Sequence, residues 1–123
     1  MTDAVPTATN PFSVQQHFER RSPVVREIYD AVVSATRQLG PVTEEPKKTS
    51  IHLNNRTAFA GVATRSDSLI LTIKSKHDIK SSRIFKREQA SANRWHLEIK
   101  LTQPEEVDTE IKDWLRKAYD LSI

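Results

Sequence analysis

His52 and His96 each sit in a segment of alternating polarity with basic residues close by, and Glu98 stands two positions beyond the second. Imidazole ordinarily titrates near neutrality, so either ring could serve as a general base. Glu98 would orient it, and a Lys or Arg would steady a developing anion. The neighbouring residues also permit a simpler chemistry, the holding of an anion. Lys47, Lys48, Lys74, Arg94 and Lys100 would neutralise phosphate, while Ser50, His52, Gln89, Asn93 and His96 would contribute hydrogen bonds.

Several other chemistries find no support in the residue pattern. The chain has no cysteine, which removes disulfides, thiolate metal sites and thiol nucleophiles. Its histidines (His17, His52, His77 and His96) match no metal-ligand spacing. There is no GxSxG elbow. With only Gly40 and Gly61 available, a glycine-rich phosphate loop or dinucleotide fingerprint cannot be built. No RNP-type aromatic strand or zinc-finger spacing occurs.

The elements that must position these residues follow from periodicity. Ser13 and Gln16 are spaced as a capping box and predict a short helix towards Arg21. Ser22-Pro23 predicts the N-terminus of a longer helix, carried by Val25, Ile28, Tyr29, Val32, Ala35, Thr36 and Leu39 and ended by Gly40-Pro41. Val42 to Pro46 reads as an acidic connector. The period then changes to two. Strands are predicted at Ser50–Leu53, Thr57–Thr64 and Leu69–Lys74, with a turn at Asn54-Asn55 and a bulge or close approach at Gly61. Lys76 to Ser82 reads as a loop. Arg83–Gln89 fits a strand, with a short helix as the alternative, and Arg94–Leu101 alternates most cleanly. Pro104-Glu105-Glu106 predicts the start of a last helix bearing Val107, Ile111, Trp114, Leu115 and Ala118 on one face. Asp108–Lys112 and Asp113–Lys117 would form i,i+4 pairs on it.

The expectation is an α+β fold: an antiparallel meander of four or five strands with the N-terminal and C-terminal helices packed on one face. Residues 1–12 read as a disordered tail and 13–123 as a single domain. If Ile51, Leu53, Leu69, Leu71, Ile73, Trp95, Leu97 and Ile99 face the helices, alternation turns a defined set the other way. That set is Lys48, Ser50, His52, Thr72, Lys74, Arg94, His96, Glu98 and Lys100.

Charge is uneven along the chain. Residues 47–100 carry 12 Lys or Arg against four acids, a net +8, while the remainder carries seven against 12, a net −5, giving +3 overall. Such segregation can concentrate an anionic partner, although Lys and Arg also solubilise strand edges. The N-terminal residues lack a signal-peptide pattern, and no apolar run reaches the ~18–20 residues that span a bilayer. A cytoplasmic location without membrane contact is expected.

Several segments resemble a bacterial domain-of-unknown-function family, DUF5655, from His17 to about Leu121. They include Pro23–Asp30, Glu45–Leu53, Ala58–Val62, Glu88-Gln89, Asn93–His96, Pro104–Asp108 and Trp114–Tyr119. The chain departs from the family pattern at Ser81-Ser82-Arg83, where Ser-Pro-Arg is usual. The resemblance implies a compact α+β domain and brings no activity, cofactor or metal with it. The leading functional expectation is therefore a domain that receives nucleic acid or another phosphate-bearing ligand on a basic sheet face. The alternatives are an enzyme using His52 and His96 as acid and base, and an interaction module. The module would meet an acidic protein, or pair a sheet edge with another copy.

Overall fold

The computed structural model describes residues 10–123. The tail expected over residues 1–12 falls largely outside that range. Of its last residues, Asn10 donates from its side-chain amide to the Pro46 carbonyl (2.9 Å).

Ser13 and Gln16 form the capping box reciprocally: Ser13 N donates to Gln16 Oε1 (2.8 Å) and Gln16 N to Ser13 Oγ (3.2 Å). The helix they open is a single 3-10 turn, Gln15–Phe18. The first long helix, α1, spans Pro23–Arg37 with proline at its first position and buries Val25, Ile28, Tyr29, Val32 and Thr36. Gly40 then adopts φ +151°, and a Cβ there would collide with the Tyr119 hydroxyl. Glycine at this place satisfies both the left-handed backbone and the close approach of the C-terminal helix.

Six antiparallel strands follow: β1 (Thr43–Pro46), β2 (Ile51–Asn54), β3 (Ala58–Thr64), β4 (Leu69–Ser75), β5 (Ile84–Ser91) and β6 (Arg94–Leu101). Their spatial order is β1-β2-β3-β4-β6-β5. The run is sequential from β1 to β4. The last hairpin then docks through its second strand, which leaves β5 at the edge. The expected connector at Val42–Pro46 contains the extra strand β1. Glu and Pro have little intrinsic strand preference, but Pro46 is tolerated on an edge. Glu44, on the helix side, accepts from the Tyr29 hydroxyl (2.5 Å) and from Arg37 (2.8 Å). Burial first, and then the Glu44 carboxylate, push the Tyr29 phenol well above its ordinary range.

Arg83–Gln89 takes the strand alternative. The bulge expected near Gly61 lies two residues earlier: the register slips so that Leu53 pairs with Ala60 and Asn54 with Ala58. Phe59 and Ala60 are thereby both buried, and the Phe59 ring meets Tyr119 edge-on at 5.2 Å.

The last helix does not begin at Pro104. Pro104–Glu106 is one 3-10 turn, and α2 spans Thr109–Asp120 with Asp108 as its N-cap, accepting from Ile111 N at 3.1 Å. Asp108 is also held by Arg83, which bridges to Glu110 and donates to the Glu106 carbonyl. The expected Asp108–Lys112 pair is replaced by this bracket, whereas Asp113–Lys117 forms at 3.2 Å. α1 and α2 pack together over one sheet face, α2 lying across β3 and β4. Ile51, Leu53, Leu69, Leu71, Ile73, Leu97 and Ile99 are buried beneath them, with Trp95 at the margin.

Candidate functional site

Strand register decides what the uncovered face carries. Directly opposed residues of neighbouring strands point the same way. One lateral row therefore reads Glu45, His52, Gly61, Thr72, Glu98, Lys86 from edge to edge. On one side of it lies a row with Lys74, His96 and Glu88, and on the other a row with Ala63, Ile70 and Lys100. His52, Thr72, Lys74, His96, Glu98 and Lys100 thus stand together on the face opposite the helices, as their alternation predicts.

A hollow of about 260 Å³ opens on this face, lined by Ser50, His52, Thr72, Lys74 and His96. Its floor is β3, whose Ala58, Gly61 and Ala63 contribute almost no side chain there. A Cβ on Gly61 would meet only His52 Cδ2, at 3.9 Å, and the Ile51 carbonyl, at 4.0 Å. Gly61 therefore contributes empty volume and not an unusual backbone. The run of small residues in Thr57–Thr64 was the available sequence signal for the hollow, and periodicity arguments pass over it because they weigh apolar residues.

Of the ten residues anticipated at an anion site, Ser50, His52, Lys74 and His96 line the hollow. Lys47 bridges to Glu45 (3.1 Å). Lys48 lies in the β1–β2 turn, where Lys47 N donates to the Ser50 carbonyl, and is not part of a strand. Gln89 is opposite Trp95, on the helix-bearing side of the last hairpin. Asn93 and Arg94 occupy the hairpin tip, where the Arg94 guanidinium donates to the Asn93 carbonyl (2.8 Å). Lys100 faces Ile70, beyond the end of the hollow.

Two arrangements on this face depart from simple alternation. The first is a set of carboxylates supplied by the sheet edges. Glu45 is the direct neighbour of His52, and Glu88 approaches His96 Nδ1 at 3.7 Å. The Asn54 amide, and next Lys47, hold the Glu45 carboxyl below its ordinary range. Lys86 sits 3.8 Å from Glu98. Residues 47–100 are basic as a segment, and among the described residues five of their twelve cations (Lys47, Lys80, Arg83, Lys86 and Arg87) pair with acids, some drawn from outside the segment, as with Glu45 on Lys47 and with Asp108 and Glu110 on Arg83. Among the described residues, Lys74 makes no ion pair.

The second departure is distance. His52 on β2 and His96 on β6 are three strand spacings apart, about 14 Å between backbones at ~4.8 Å per spacing. Glu98 is opposite Thr72 and equally remote from His52. It cannot orient that ring. The two histidines face each other across the hollow, each beside its own carboxylate. Among the described residues no three His, Asp or Glu side chains converge as metal ligands, and no helix is long and apolar enough to cross a membrane.

The chain belongs to the family described as domain of unknown function (DUF5655), which matches residues 14–122. No curated protein and no solved structure is significantly similar to it.

Proposed function

We propose that this member of the family is a binding domain for a small anionic ligand, taken in the hollow between His52 and His96. The supporting observation is the hollow itself: a floor of small β3 residues, with Ser50, Thr72, two imidazoles and the Lys74 ammonium around it. A ligand phosphate or carboxylate would sit against Lys74 and accept hydrogen bonds from the hydroxyls and ring N–H groups. Its body would lie over the Ala58–Ala63 floor. A volume of about 260 Å³ suits a phosphate-bearing metabolite fragment better than a polymer. The alternation of cations with Glu45, Glu88 and Glu98 counts the same way, since a nucleic-acid track needs an unbroken row of cations. The two histidines are too far apart to act as acid and base across one bond, so binding is preferred to catalysis.

Titration with inorganic phosphate and with a phosphorylated sugar, followed through the imidazole resonances of His52 and His96, tests the proposal. Saturable shifts in both rings are expected at low salt, with affinity about tenfold or more weaker in Lys74→Ala, as for loss of one charged hydrogen bond. Absence of saturable shifts, or shifts confined to Asn93 and Arg94, would rule it out.

A further inference from the structure

A second hollow, of about 670 Å³, lies on the same face at the opposite end of β4, and alternation alone gave no hint of it. The β3–β4 turn supplies Arg65, Ser66, Asp67 and Ser68, the central strands supply Ile70 and Lys100, and β5 supplies Phe85. Phe85 follows Ile84 where the β5–β6 register slips between Ile84 and Lys86, so it has no direct partner on β6. It is 57% exposed, while Ile70 beneath the hollow is only 7% exposed. Arg83 also reaches the rim, but its guanidinium is held by Asp108, Glu110 and the Glu106 carbonyl. Arg65 and Lys100 differ from it. Among the described residues neither makes an ion pair, and the Arg65 guanidinium donates only to the neighbouring Thr64 carbonyl. The hollow therefore presents two available cations, an accessible aromatic face and one carboxylate, Asp67.

We infer that this hollow binds a phosphorylated nucleoside. Arg65 and Lys100 would neutralise the phosphate, the base would stack on Phe85 above Ile70, and Asp67 would accept from sugar hydroxyls. The chemistry discriminates against two other occupants. A protein partner needs about 800 Å² of buried surface on each side, and one exposed Phe beside a mostly covered Ile does not provide it. A bare phosphate would leave Phe85 without a role. The inference uses none of the residues around the His52–His96 hollow and stands without that reading. The nucleotide chemistry has two sources, a free mononucleotide or a unit within a single strand.

The test is a titration of the full chain with adenosine monophosphate, adenosine, inorganic phosphate and an eight-residue single-stranded oligonucleotide, followed by backbone and Phe85 ring resonances. The monophosphate is expected to bind saturably, shifting Phe85, Ile70 and Lys100 with an affinity of their own, separate from any response of His52 and His96. Phe85→Ser should weaken the monophosphate about tenfold, the scale of one base–aromatic stack, without changing phosphate binding. Lys100→Ala should weaken both. Tighter binding of the oligonucleotide than of the monophosphate identifies a strand as the source, and comparable binding identifies the free nucleotide. The inference fails if phosphate binds as tightly as the monophosphate, if Phe85→Ser has no effect, or if only the histidine resonances shift. Phe85 is exposed, and a circular dichroism spectrum matching wild type confirms that the variant has folded.

Discussion

The two faces of the sheet use the same strands to opposite ends. Under the helices, Ile51, Val62, Leu71 and Ile99 stand in one register row, each at most 1% exposed. One residue along each strand, the outward row reads His52, Gly61, Thr72 and Glu98. The covered face is a close-packed solid in which every methylene has partners. The open face keeps small residues, hydroxyls and both paired and unpaired charges around two hollows. Stability should reside in the first and binding in the second.

The largest expected effect comes from exchanging neighbours across that division. Leu71→Ala should cost about 2–5 kcal/mol, as for other buried leucines, whereas Thr72→Ala should stay within ~0.5 kcal/mol. Urea unfolding of both variants checks the contrast, and equal losses would break it.

Gly40 tests how α2 is latched. The Tyr119 hydroxyl accepts from the Asn55 amide (2.7 Å) and donates to the Pro41 carbonyl (3.1 Å), directly beside Gly40. Gly40→Ala should destabilise by about 1–3 kcal/mol through overpacking and an unsuitable φ. Tyr119→Phe alone should cost ~1 kcal/mol. In the double variant the collision is relieved, so its loss should fall short of the sum, a coupling readable from thermal unfolding.

Asp108→Ala should cost about 1 kcal/mol for the lost cap and leave Arg83 with Glu110 and the Glu106 carbonyl as its remaining partners. A smaller signature appears in acid. The Ile111 N–H, foremost, holds the Asp108 carboxyl below its ordinary value of 3.8, and the Thr102 N–H does the same for Glu106 below 4.5. Both groups are more acidic folded than unfolded. Their contribution is complete above these ordinary values and is lost as pH falls through the lower folded ones. Unfolding measured between pH 7 and pH 2 should show stability decline below about pH 4.5, and the decline should be shallower in Asp108→Ala.

Much of this fold was legible in the residues. The Ser13–Gln16 box, Pro23 at the start of α1, the start of β4 and both limits of β6 depend on neighbours a few positions apart, and they appear where the pattern placed them. Three features resisted. Thr43–Pro46 has one strand-favouring residue, Thr43, and is a strand because β2 offers it an unpaired edge. Pro104–Glu106 looks like a helix start, but Glu106 turns back to the Thr102 and Gln103 amides (2.5 and 3.1 Å), and Asp108 takes over as the cap. Phe85 and Arg65, far apart in the chain, line one hollow only because β4 and β6 bring the turn and the edge strand to the same place.

The amino-acid order by itself determined which side chains share a face, because the two-residue period is a property of each strand alone. It could not determine how far apart those side chains lie across the sheet. That distance depends on which strands exchange backbone hydrogen bonds, and all strands offer the same N–H and C=O groups. Insertion of β6 between β4 and β5 put His96 beside Lys74 and across the hollow from His52. Pairing within the last hairpin placed Glu88 beside His96, and Glu45, Asp108 and Glu110 reached cations of the basic segment from outside it.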